Sequence, residues 1–140
     1  MRNTTLVLLF LPVFVSLIGC GSSGPQLVDV SGKVTVDGKP VPNAIVTFNP
    51  LTPGGSNSLG KTDAQGFYRL EFSQDKKGAM VGEHDVDIVA KKISKNDLPD
   101  DGSVVSTEFV EIPAKYRKRG SLKVKVENKS NTINFELDSK

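Results

Sequence analysis

From Leu27 onward, apolar and polar residues alternate with a period of two, and turn-forming residues separate the runs. No stretch keeps the spacing of a helical face, so the pattern predicts strands. Val28, Val30, Gly32, Val34 and Val36 share one face of a first strand, with Asp29, Ser31, Lys33 and Thr35 on the other. The first face is expected in a core. Asp37-Gly38-Lys39-Pro40 follows as a turn, because Asp-Gly tolerates positive φ and Pro40 lacks an N–H for a ladder. Ala44, Val46 and Phe48 form the next apolar face, ended by Pro50 and the loop-forming cluster of residues 53–57.

Lys61-Thr62-Asp63 reads as one arm of a hairpin, turned by Ala64-Gln65-Gly66, with Tyr68, Leu70 and Phe72 alternating along the second arm. Residues 83–91 alternate again, placing His84, Val86, Ile88 and Ala90 opposite Asp85, Asp87 and Val89. Residues 92–105 show little periodicity and read as a long loop. Glu108 to Ile112 is expected as a short edge strand stopped by Pro113. Leu122, Val124 and Val126, then Ile133, Phe135 and Leu137, predict a last hairpin around the turn at Asn128 to Ser130. The sum is all-β: a seven- to eight-stranded antiparallel β-sandwich.

The N-terminal segment breaks this pattern. Met1-Arg2 gives a positive start, and residues 6–18 are almost wholly apolar, the order of a secretory signal. That run is shorter than the roughly 20 residues a membrane-spanning helix needs. It ends in Leu17-Ile18-Gly19-Cys20, and Cys20 is the only cysteine in the 140-residue chain.

These four residues resemble the lipobox of bacterial lipoproteins, in which the cysteine thiol accepts a diacylglyceryl group and the chain is cut before it. The resemblance implies cleavage between Gly19 and Cys20 and lipid attachment at Cys20. It divides the chain into a signal peptide (1–19), a lipidated tether (20–26) and a sandwich domain (27–140). Gly21, standing where an aspartate would argue for inner-membrane retention, favours the outer membrane. The partner implied through the lipid is the membrane of a bacterial cell envelope.

Charge narrows the partners further. Lys and Arg number 18 against 16 Asp and Glu, a balance that gives no reason to expect nucleic acid. Residues 115–125 are locally basic through Lys115, Arg117, Lys118, Arg119, Lys123 and Lys125, and read as a solvated loop and strand face.

A second resemblance covers residues 27–138. Val30-Ser31-Gly32-Lys33-Val34, then Asp37 to Ala44, and Lys61-Thr62-Asp63-Ala64-Gln65-Gly66-Phe67-Tyr68 look like carboxypeptidase regulatory-like domains, which are prealbumin-like (transthyretin-like) sandwiches. With Ile112-Pro113-Ala114-Lys115-Tyr116, the whole is similar to small exported lipoproteins of planctomycete-type bacteria. Members of that group are mostly described as accessory or envelope domains. The matching residues are turn and core residues, so the resemblance speaks to fold and not to activity.

Candidate chemistry is sparse. His84 is the sole histidine, and its alternation places it with the core-facing valines. A zinc site or a Ser-His-Asp relay needs more ligands or a positioned nucleophile. The transthyretin-like hydroxyisourate hydrolase relies on more than one histidine and a Tyr-Arg-Gly-Ser end, whereas this chain ends Leu137-Asp138-Ser139-Lys140. Lys33 and Asn134, candidates for an isopeptide bond, both fall on the outward face.

Two expectations remain. The first is a non-catalytic, lipid-anchored envelope module that contacts protein or glycan, with no cofactor or metal and no assigned oligomeric state. The alternative is a small envelope enzyme or metal-binding domain using His84 or the acidic loop around Asp97 to Asp101.

Overall fold

The computed structural model describes residues 24–94, 98–103 and 105–140. Gly19, Cys20 and the signal peptide therefore lie outside the described residues, as does Asp97. Among those described, the chain is β throughout, save for one 3-10 turn at Ala114–Tyr116.

Two sheets face each other. β2 (Val30–Val36) is central to one, flanked by β12 (Asn131–Thr132) and β13 (Phe135–Leu137), and also paired with β3 (Lys39–Pro40) and β6 (Phe67–Arg69). The other has the order β11-β10-β4-β5-β7-β8. Its long members are β4 (Ala44–Pro50) and β10 (Gly82–Ala90), with β5 (Ser58–Lys61), β7 (Glu71–Ser73), β8 (Lys76–Lys77) and β11 (Lys123–Val126) beside them. A small ladder of β1 (Leu27–Val28) and β9 (Ala79–Met80) closes the end where the chain enters. The strand segments outnumber the seven or eight expected, because several predicted strands divide into short pieces.

Alternation determines which residues meet between the sheets. Val30, Val34 and Val36 from β2 pack toward Val46 and Phe48 from β4, Val86 and Ile88 from β10, and Phe135 and Leu137 from β13. Phe48, Tyr68 and Phe135 form an aromatic group with centroid separations of 6.2–6.4 Å. Burying side chains of this kind contributes roughly 1.5–3 kcal/mol each. The Asp37-Gly38 turn takes the expected form: both residues have positive φ, 49° and 79°, and Val36 pairs with Lys39 across it.

Three pairings differ from expectation. Residues 67–73 do not form the second arm of one hairpin. β6 lies antiparallel to β2, whereas β7 pairs with β5 in the opposite sheet. Leu70, fully buried, sits at the crossing, where its N–H donates to Val30 O and its carbonyl accepts from Gly78 N.

The final hairpin is likewise absent. β11 pairs with β10, and the chain then crosses so that β12 and β13 run parallel to β2. The cause is local: the Asn131 side chain bonds Glu127 N, Glu127 O and Lys129 O, which folds residues 127–131 into a loop of their own. Glu108 to Ile112 is not a strand. It keeps the in-and-out burial of one, with Ile112 in the core and Phe109 exposed, but pairs with nothing among the described residues.

Candidate functional site

His84 enters the core because β10 alternates, and its ring is 1% exposed. It lies 5.7 Å from the Phe48 ring, and Nδ1 is 3.1 Å from Gly82 O, so Nδ1 carries the donated proton. Nε2 is buried without a partner among the described residues. Burial holds the imidazole below its ordinary pKa. A ring sealed in this way reaches no substrate.

The acidic positions do not converge. Asp87 Oδ2 accepts a 2.9 Å bond from Asn49 Nδ2 on the outer face of the larger sheet. In the loop, Asp101 Oδ1 accepts from Ser103 N at 2.9 Å and Ser103 Oγ at 2.6 Å, a local turn that holds its carboxyl below the usual range. Among the described residues, no three His, Cys, Asp or Glu side chains are grouped as a metal set.

The basic run is largely matched by acids. Lys115 pairs with Asp138, and Arg117 Nη1 lies 3.2 Å from Glu111 Oε1. Lys123 and Lys125 stand opposite Asp85 and Glu83 across the β10–β11 ladder. Lys33 Nζ lies 5.1 Å above the centre of the Phe67 ring, and Asn134 Oδ1 accepts from Lys33 N, so the two side chains are turned to separate tasks.

What the structure adds is a groove of 490 Å³ against the upper half of β10, within the range of small-ligand and peptide sites. Asp87 and Val89 line it from the strand, and Phe109, Glu111, Tyr116 and Arg117 from the following segment. Val89 is 62% exposed and Phe109 42%. Its charge is one guanidinium against two carboxylates.

Sequence reasoning did not find this site. The available signal was Val89, an apolar residue on the outward side of a strand whose other outward residues are acids. Among the described residues no helix is long and apolar enough to cross a membrane. No family model matches the chain, and neither the curated proteins nor the solved structures contain a match.

Proposed function

We propose that this chain is a lipid-anchored, extracytoplasmic β-sandwich of the carboxypeptidase regulatory-like kind, working by contact with protein or glycan and not by catalysis. The observation that carries the reading is the sequence Leu17-Ile18-Gly19-Cys20 at the end of an apolar run, just ahead of a sandwich whose first strand begins at Leu27. A tether this short extends about 25 Å at most, so a lipid on Cys20 holds the domain against the bilayer. Two or more acyl chains give stable attachment where one does not. The enzyme reading draws nothing from His84, whose ring is enclosed by the core.

Mass spectrometry of protein purified from its native envelope tests the anchor. The expected result is a chain beginning at Cys20 with a thioether-linked diacylglyceryl group, whose formation globomycin-sensitive processing follows. A bare thiol at Cys20 on exported material overturns it.

A further inference from the structure

We infer that the upper edge of β10, at Ile88 and Ala90, is a docking slot for an extended segment of a partner polypeptide that continues the β11 ladder. This inference rests on reading the chain as a contact module. The hydrogen-bond parity of β10 is fixed by three bonds. Lys91 N donates to Asn43 O and Leu51 N to Glu83 O, so odd-numbered residues face β4. Val86 N donates to Leu122 O on the other side, so even-numbered residues face β11.

The β11 register reaches Asp85, and the Val86 bond to Leu122 adds one further step. Continuing it would need residues 118–120 opposite Ile88 and Ala90. The chain turns away there instead: Gly120 has φ 76°, Ser121 N donates to Lys118 O, and Ser121 Oγ donates to Tyr116 O. The outward N–H and C=O groups of Ile88 and Ala90 thus have no backbone partner among the described residues. Ile88 is also 1% exposed, which denies its groups free water. Buried backbone groups in that condition are uncommon and costly. Both residues line the groove, although the Ile88 side chain belongs to the core.

Side chains state what the occupant carries. β11 sets Lys125 opposite Glu83 and Lys123 opposite Asp85 on the outer face. The next outward positions of β10 are Asp87 and Val89, with Phe109 and Glu111 beyond. A strand extending the ladder therefore matches the site with a basic residue opposite Asp87 and an apolar one opposite Val89. Main-chain bonds give such strand addition its affinity, and alternate side chains its selectivity.

Amide exchange on the full chain in mild detergent tests this, with a synthetic peptide that alternates as Lys123 to Val126 does but sets lysine opposite Asp87 and leucine opposite Val89 as the probe. The half-buried Ala90 amide is expected to exchange roughly tenfold or more faster than that of Val86 in the free protein, and to slow by a similar factor at saturating peptide. The same peptide N-methylated at alternate residues should give no protection, and Asp87→Lys should weaken binding on the order of tenfold while leaving the fold intact. An Ala90 amide protected as well as that of Val86 without peptide would mean that this chain closes its own edge, overturning the proposal. Protection that rises with protein concentration alone would assign the slot to a second copy and also overturn it. A bare Cys20 thiol leaves all these outcomes unchanged, so the anchor and the slot fail separately.

Discussion

The imidazole of His84 is the chain's only histidine ring, and its burial gives stability a defined pH dependence. Above pH about 6.5 the ring is neutral in both folded and unfolded chains. As pH falls below that value the unfolded chain takes up the proton first, because burial lowers the folded pKa. Stability is then lost by up to about 1.4 kcal/mol per pH unit until the folded pKa is passed. The carboxyls of Asp37, Asp101 and Asp138 lie below their usual range through hydrogen bonds from Ser139, Ser103 and Lys115 respectively. Their protonation belongs to more acidic solutions. Urea unfolding at pH about 7.5 and about 5.5 should show the native chain weaker in acid, and His84→Leu should flatten that difference. An unchanged slope in the variant would assign the acid sensitivity elsewhere. The placement of this ring was legible because alternation alone decides which side of a strand a residue faces.

At the scale of elements, β2 and the crossing into β13 are held by a close approach. The Ile133 carbonyl accepts the Tyr68 hydroxyl at 2.7 Å and lies over Gly32. A methyl group at Gly32 would stand 1.7 Å from that oxygen. Gly32→Ala is therefore expected to cost more than about 3 kcal/mol, read as a large drop in the urea midpoint, since the clash is with backbone and cannot be relieved by a rotamer change. A near-native midpoint would show that β12 and β13 do not lie where described. This contact also explains what the sequence left hidden. Faces were readable from Val34, Phe48 and Val86, but partners were not. The strand after Gly66 changes sheets at Leu70, and the strand after Asn131 joins β2 in parallel, because loop geometry and not periodicity decides where a chain goes next. The groove stayed illegible for the same reason: it exists where β11 stops short, and a missing length of ladder leaves no mark on composition.

For the molecule as a whole, the proposed anchor and the fold are expected to be separable. Cys20 precedes the first described strand, and among the described residues the core is drawn from Val28 onward. Cys20→Ala should leave the thermal midpoint of the domain unchanged while moving the protein from the detergent phase to the aqueous phase on fractionation. Loss of folding in that variant would contradict the division. The parallel pairing of β2 with β13 has a mechanical corollary. Residues before β2 leave the pair at one end and those after Leu137 at the other, so tension drawn between an anchored N-terminus and a load on the C-terminus would shear these neighbouring strands along their length. The evenly spaced bonds of a parallel ladder would then resist together instead of peeling one at a time, making this pair the tensile seam of the domain.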